Sequence, residues 1–406
     1  MSAVAEPLLH AAIDDNLARR NAMVLAVAQA LSGGNNIVIV STASIVGAVL
    51  APDKGLATLP ITFMVLGMWA GTLPVGWLSR NFGRRFALQT GSAFGVASGL
   101  ISYSAVMHGS FWLLLLGTFC GGLYAAAHQS YRFAAADTAS ESYRPKVVSW
   151  VLAGGVFAAI IGPQLIIFTK DMLAPYVFAA SYLGQSVCAL VAAMVLQFVK
   201  VPPVASRNAR PGRPLFEIVR APKFIVAVAC GVATYTSMNL VMTSAPLAMV
   251  GCGHSITQAT LGIQWHVLAM YGPSFFTGGL IARFGVGRIT SVGLMLIGLT
   301  AVVGVSGVTV AHFWTGLVLL GIGWNFAFIG ATTMVTQCHR PEERNTVQAF
   351  NDFLIFGSMA VSSFFSGQLL ADFGWPAVNE TIFPVIFIAG ALLAWLGLRS
   401  HRLAAA

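Results

Sequence analysis

Residues 76–83 read Gly-Trp-Leu-Ser-Arg-Asn-Phe-Gly, and residues 278–285 read Gly-Gly-Leu-Ile-Ala-Arg-Phe-Gly. Glycine, leucine, phenylalanine and glycine recur in the same order at an offset of 202 residues, almost half of the 406-residue chain. Weak internal similarity at such an offset is typical of membrane proteins built from two related halves. The sequence therefore predicts two structural repeats of similar size.

Apolar stretches of about 20 residues recur along the whole chain, and each is long enough to cross a bilayer core of ~30 Å as a helix. Hydrophobic residues make up 57% of the chain and charged residues 9%, whereas soluble domains carry roughly 25% charged residues. We predict an N-terminal segment (1–21), a six-helix bundle (22–199), a linker (200–221), a second six-helix bundle (222–398) and a tail (399–406). The all-α membrane fold has twelve predicted spans, near residues 22–47, 56–79, 86–107, 111–134, 147–169, 174–199, 222–250, 257–282, 288–309, 311–337, 344–371 and 378–398.

Basic residues concentrate on one side of this predicted topology. Because cationic loops stay in the cytoplasm, we expect a bacterial inner-membrane protein with both termini cytoplasmic, and only Lys54 and Lys170 opposite. No small-residue cleavage site follows the N-terminal segment, so no cleaved signal peptide is expected. The net charge of +9 reflects this topology, and its spread over short loops does not indicate nucleic-acid binding. The cytoplasmic cations are Arg19, Arg20, Arg80, Arg84, Arg85, Arg144, Lys146, Lys200, Arg207, Arg210, Arg213, Arg220, Arg283, Arg288, Arg340, Arg344, Arg399 and Arg402.

In its repeated loop segments and its organisation in two halves, the chain resembles the major facilitator superfamily over essentially its whole length. The resemblance implies two pseudosymmetric six-helix bundles, a cargo site near the bilayer midplane and rocking-bundle alternating access. The superfamily usually places an aspartate where this chain has Arg80 and Ala282, and that departure weighs against drug efflux. We expect gating at the loop glycines and at helix-end ion pairs, with a proton relay as the alternative for the two aspartates: Gly76, Gly83, Arg84, Asp137, Arg144, Arg344 and Asp352.

Two pairs of soft metal ligands lie on predicted spans seven and eight. Met238 and Met242 are four residues apart, as are His266 and Met270, so each pair shares one helix face. At ~1.5 Å per residue, all four lie ~12–21 Å from the outer ends of their spans, in one layer near the midplane. Thioether and imidazole ligands suit Cu(I). Helix packing is the alternative, although an imidazole facing lipid is costly.

With 28 residues between the first methionine and the histidine, this pattern resembles the CcoA-type bacterial copper importers. The resemblance implies that these four residues bind copper, which then supplies the biogenesis of haem–copper cytochrome oxidases. Trp324-Asn325 and the segment 348–352 resemble a wider group that includes riboflavin transporters. We also predict a secondary metal relay, with packing as the alternative, at Met64, Met68, Cys230, Cys252 and His254.

The sequence predicts a transporter rather than an enzyme. We find no phosphate-binding loop, zinc-protease motif or nucleophile elbow, and the short loops leave no room for an enzymatic domain. We expect a monomer in the lipid bilayer that imports copper as its substrate, uses no cofactor, and has periplasmic or cytoplasmic copper chaperones as partners. The alternatives are uptake of an organic molecule such as riboflavin, drug/proton antiport, and a copper-binding membrane sensor that does not transport.

Overall fold

The computed structural model describes residues 14–137, 139–140, 143–200, 213–340 and 343–405, and regular structure in these ranges is helical. A short 3-10 turn, Lys54–Leu56, follows the first helix. The α-helices are α1 (Asp15–Leu50), α2 (Leu59–Asn81), α3 (Arg84–Met107), α4 (Phe111–Gln129), α5 (Tyr131–Ala136), α6 (Arg144–Thr169), α7 (Ala179–Leu196), α8 (Leu215–Val219), α9 (Pro222–Gly251), α10 (Ile256–Tyr271), α11 (Ser274–Phe284), α12 (Val286–Ser306), α13 (Val310–Thr336), α14 (Arg344–Glu380) and α15 (Ile382–Ala405).

Each predicted span corresponds to one helix or to two consecutive helices. Within the described ranges, nine helical stretches are long and apolar enough to cross a membrane, and the last, Thr346–Arg399, holds the final two spans. The remaining spans are α3 and the α10–α11 pair, which is interrupted at Gly272 and Pro273 because proline lacks a backbone N–H. The prediction of twelve helices in two six-helix bundles is confirmed.

The loop repeat of the sequence is also a repeat of backbone conformation. Gly83 joins α2 to α3, Gly285 joins α11 to α12, and both glycines have φ +88°. A side chain at this φ would clash with the backbone, so glycine is required at both positions. Gly76, by contrast, is helical, and a Cβ there would meet nothing within 4 Å.

A second repeat lies in the helix packing. A Cβ on Gly122 of α4 would lie 2.0 Å from the carbonyl oxygen of Met64 and 2.7 Å from the amide of Met68. A Cβ on Gly321 of α13 would lie 2.5 Å from the carbonyl oxygen of His266 and 3.0 Å from the amide of Met270. His266 and Met270 follow Met64 and Met68 by 202 residues, so the two bundles use the same glycine contact.

Side-chain hydrogen bonds join the two bundles toward one face of the molecule. We define the basic face by the loop residues 82–83, 137, 139–140, 143, 285, 337–340 and 343, and the opposite face by those at 51–58, 108–110, 170–178, 252–255 and 307–309. Toward the opposite face, Gln164 Nε2 donates to Gln264 Oε1 at 2.9 Å, and Thr58 Oγ1 donates to the Ser363 carbonyl at 3.2 Å. The described ion pairs at the basic face each stay within one half of the chain. The interface is therefore closed at the opposite face.

Replacing Gly122 with alanine is expected to lower the thermal unfolding temperature of the purified protein. The new methyl group cannot fit against the Met64 carbonyl, and overpacking of this kind costs about 1–3 kcal/mol. The matched control is Gly390→Ala, where the added methyl meets nothing within 4 Å. Equal unfolding temperatures for the two variants would contradict the packing described here.

Paired cysteines at Gln164 and Gln264 are expected to react with a short bifunctional thiol reagent in isolated membranes, because these side chains touch across the bundle interface. The matched control places cysteines at Lys146 and Arg283, near the basic-face ends of the same two spans. Both pairs are tested in a cysteine-free background and read as an intramolecular link after proteolysis of the linker. Efficient linking of the control pair alone would contradict closure at the opposite face.

Candidate functional site

Three aromatic rings of the C-terminal bundle pack together near mid-membrane depth. Trp324 and Phe328 lie one turn apart on α13 and stack with ring centroids 4.8 Å apart and an interplanar angle of 20°. Tyr235 of α9 meets both rings edge-on, at 5.4 Å and 4.8 Å. At ~1.5 Å per residue, Tyr235 and Trp324 lie ~18–20 Å from the basic-face ends of their helices. We call these three residues the aromatic wall.

The N-terminal bundle presents a cation toward the aromatic wall. Arg132 of α5 interacts electrostatically with Tyr235, Tyr271 and Asp352, which belong to three helices of the other bundle. The same guanidinium acts on His128, one turn earlier in the chain. The Arg132 Nε atom is buried and has no hydrogen-bond partner among the described residues. Arg132 is thus the common neighbour of polar groups from both bundles.

His128 is a buried imidazole without polar partners in the described part of the chain. It is 6% exposed, and neither Nδ1 nor Nε2 forms a hydrogen bond there. Its ring meets Tyr131 edge-on at 5.4 Å. Burying an unpaired polar group costs free energy, so a buried histidine of this kind indicates a place where a polar partner binds.

Flat aromatic rings on one bundle and polar groups on the other define the chemistry of the space between them. Stacked and edge-on rings bind planar aromatic molecules well, and hydrogen-bonding groups opposite them fix the orientation of such a molecule. Because the aromatic wall and the polar groups belong to different bundles, a bound molecule would be enclosed when the bundles approach each other and released when they move apart.

The predicted metal ligands lie within the C-terminal bundle. His266 is fully buried, and its Nδ1 lies 2.8 Å from the Leu317 carbonyl of α13. A carbonyl oxygen only accepts, so Nδ1 carries the proton and the Nε2 lone pair remains free. Within the described ranges Nε2 has no hydrogen-bond partner.

The three predicted methionine ligands are not equivalent. Met238 and Met270, 3% and 8% exposed, belong to a large buried apolar cluster that also includes Met64 and Met68 of the N-terminal bundle. Met242 is less buried and also packs against a small cluster that includes Ile37 and Ala158 of the N-terminal bundle. Among the described residues, no group of three or more His, Cys, Asp or Glu side chains could hold a metal, so a site here would depend on the thioethers.

The residues of the predicted relay are scattered. Met64 and Met68 are buried in α2, and Cys230 is buried in α9 with its Sγ 4.0 Å from the Ala389 carbonyl. Cys252 is exposed, while His254 is tied by its Nε2 to the Val308 carbonyl at 2.7 Å. Gly253 between them has φ +86° and ends α9. The relay stays a prediction, and packing accounts for Met64, Met68 and Cys230.

The predicted gating aspartates differ. Asp137 follows α5 and accepts a hydrogen bond from Arg84 Nε at 2.8 Å, a helix-end ion pair. Asp352 lies eight residues into α14, in the span predicted to begin at residue 344, and it accepts a hydrogen bond from Asn351 Nδ2 at 3.1 Å. The side chains of Arg144 and Arg344 lie outside the described part of the chain. A gating role for these residues remains a prediction.

An ion pair that the sequence did not reveal ties the linker to the second bundle. Arg213 donates to Glu343 from Nε at 2.8 Å and from Nη2 at 2.9 Å. This charge-assisted pairing holds the pKa of the Glu343 carboxyl well below its usual range. The Glu343 carboxylate also accepts the Arg340 backbone N–H at 2.8 Å, so one side chain fixes the linker and the turn before α14.

Two helical bundles that bring aromatic rings and a cation together at their interface are typical of membrane transporters, and the comparisons with known proteins agree. The profile of the Major Facilitator Superfamily matches residues 25–354, and the chain belongs to this superfamily of multi-pass membrane transporters. Two relatives are the riboflavin transporter RfnT of Brucella anthropi, 49% identical over 92% of this chain and 94% of its own, and the uncharacterized MFS-type transporter YdeG of Bacillus subtilis, 27% identical over 90% and 89%. The solved nucleoside transporter NupG shares the fold, with a TM-score of 0.70, 11% identity, and coverage of 93% of this chain and 98% of its own.

Proposed function

We propose that this protein imports riboflavin, or a flavin closely related to it, across the bacterial inner membrane. The observation that carries the proposal is the 49% identity, over 92% of the chain, with a riboflavin transporter. This relationship favours uptake of an organic molecule, which the sequence analysis gave as an alternative, over import of copper. The copper prediction rests on a pattern of four residues.

The aromatic wall supports a flavin as the cargo. The isoalloxazine ring is planar, tricyclic and aromatic, so it gains both apolar burial and offset stacking against indole and phenyl rings. Trp324 also carries a buried Nε1–H without a partner among the described residues, which suits a carbonyl or ring nitrogen of the cargo. The wall is therefore matched to the ring system in shape and in polarity.

The charge distribution supports import toward the basic face. Because cationic loops stay in the cytoplasm, we propose that the basic face and both termini are cytoplasmic. The bundle contacts then close the periplasmic face, which is the state from which an importer releases its cargo inward. We propose that the monomer carries out this cycle.

Riboflavin uptake by a riboflavin-requiring bacterium without its own transporter tests the proposal. Cells that express the wild type are expected to accumulate radiolabelled riboflavin, and Trp324→Ala is expected to reduce uptake about tenfold or more, since one stacking partner contributes about 1–3 kcal/mol. The matched control is Trp112→Ala, which removes an indole that is 71% exposed on α4. No uptake from well-expressed wild type would refute a riboflavin cargo.

Copper is a second candidate cargo, and one observation favours it. The Leu317 carbonyl holds the Nδ1 proton of His266, which leaves the Nε2 lone pair buried and unpartnered within the described part of the chain. A deprotonated imidazole nitrogen near buried thioethers is a donor set for Cu(I). Met238 and Met270 would complete this set from α9 and α10.

Replacing Met238 and Met270 together with leucine separates the two cargoes. Leucine keeps the volume of methionine and usually costs less than about 1.5 kcal/mol in a core, so the fold is retained while the sulfur donors are lost. A copper importer is expected to lose copper accumulation in this variant, measured by elemental analysis of cells, and riboflavin uptake is expected to stay unchanged. Met295→Leu, at a position 63% exposed on α12, is the matched control. Equal copper contents in variant and wild-type cells would refute the copper site.

A further inference from the structure

Nine buried side-chain atoms of the N-terminal bundle lack hydrogen-bond partners among the described residues, and four of them belong to a histidine, an arginine and an asparagine. These four are His128 Nδ1, His128 Nε2, Arg132 Nε and Asn36 Oδ1. His128 Nε2 lies over α1, 3.9 Å from the point where a Cβ would sit on Gly33. Gly33 and Asn36 are three residues apart and share one face of α1. The four atoms therefore belong to neighbouring faces of α1 and the α4–α5 span.

Two polar groups beside this cluster are satisfied, whereas Gln185 Oε1, on the far side of Asn35, is unpaired among the described residues. The Tyr131 hydroxyl, one turn of chain from His128, is paired with Ser32 Oγ at 3.0 Å. The Asn35 amide donates to the Gln185 carbonyl at 3.1 Å. Since buried polar groups are normally paired, the unpaired set marks the surface at which a polar ligand completes the hydrogen bonding.

We propose that His128 and Arg132, with Asn36 beside them, form the binding site for the polyhydroxyl chain of the cargo. The inference rests on the proposed flavin cargo and adds its orientation. The ring system lies against the aromatic wall of the C-terminal bundle, and the ribityl chain points to the N-terminal bundle.

The types of polar atom match a row of hydroxyl groups. A neutral imidazole offers one donor and one acceptor, a guanidinium offers only donors, and an amide oxygen accepts. A hydroxyl group both donates and accepts, so a polyol can satisfy all of these atoms at once. The Asp352 carboxylate offsets the charge of Arg132 across the bundle interface. The site therefore suits an uncharged chain better than a phosphorylated one.

Comparison of riboflavin with lumiflavin tests this assignment, because lumiflavin has the same ring system with a methyl group in place of the ribityl chain. Flavin fluorescence quenching by the purified full-length protein gives Kd for each compound. The wild type is expected to bind riboflavin more tightly than lumiflavin. His128→Leu is expected to raise the Kd of riboflavin about tenfold, which corresponds to the loss of one hydrogen-bonding group. The Kd of lumiflavin is expected to stay unchanged.

Three further variants distinguish a loss of flavin binding from a loss of folding. His128→Phe also removes hydrogen bonding but keeps a ring against Tyr131, and it stands in for His128→Leu if the leucine protein is unstable. His128→Gln restores a donor and an acceptor and is expected to recover most of the preference for riboflavin. His108→Leu makes the same chemical change at an exposed histidine of the opposite face, where no effect is expected.

The assignment fails if His128→Leu and His128→Phe weaken both flavins equally, which would indicate a structural role, or if they change neither Kd. Loss of lumiflavin binding alone would place the ring, not the chain, at His128 and would overturn the orientation. If the wild type binds neither flavin, the proposed function fails as well, and that result differs from every outcome in which only the orientation is wrong.

Discussion

The close approach of α4 to α2, and of α13 to α10, is the contact on which the rest of the structure depends. In each pair a glycine, Gly122 or Gly321, lets one helix backbone touch the next. Lipid provides little hydrophobic drive between helices, so close packing at small residues holds such bundles together. His128 comes six residues after Gly122, and Trp324 comes three residues after Gly321. The same helix contacts therefore set the positions of the polar groups on one bundle and of the aromatic wall on the other.

The two sides of the candidate site differ in chemistry. The C-terminal bundle supplies stacked rings that need no partner beyond another ring, whereas the N-terminal bundle supplies polar atoms that are unpaired among the described residues. Arg132 links the walls, because its charge acts on Asp352 and on two tyrosines across the interface. A cargo that is apolar at one end and polar at the other would satisfy both walls, and it would do so only while the bundles face each other closely.

The fold could be predicted from the sequence because hydrophobic length and charge asymmetry are strong signals. The loop repeat around Gly83 and Gly285 follows from a backbone angle that only glycine adopts freely. The site was harder to predict. His128, Tyr235 and Phe328 belong to no short sequence motif, and the meeting of Tyr235 with Phe328 depends on tertiary contacts between α9 and α13.

The two candidate cargo sites differ in whether motion of the bundles would open them. Rocking of two bundles changes the distance between groups on different bundles, while groups inside one bundle move together. His266, Met238 and Met270 all belong to the C-terminal bundle, and the ring of His266 is held to α13 of that same bundle. The proposed flavin site takes the aromatic wall from one bundle and Arg132 from the other. Bundle motion would therefore open and close the proposed flavin site directly, whereas a copper ion at His266 would stay enclosed unless α10 and α13 also separated.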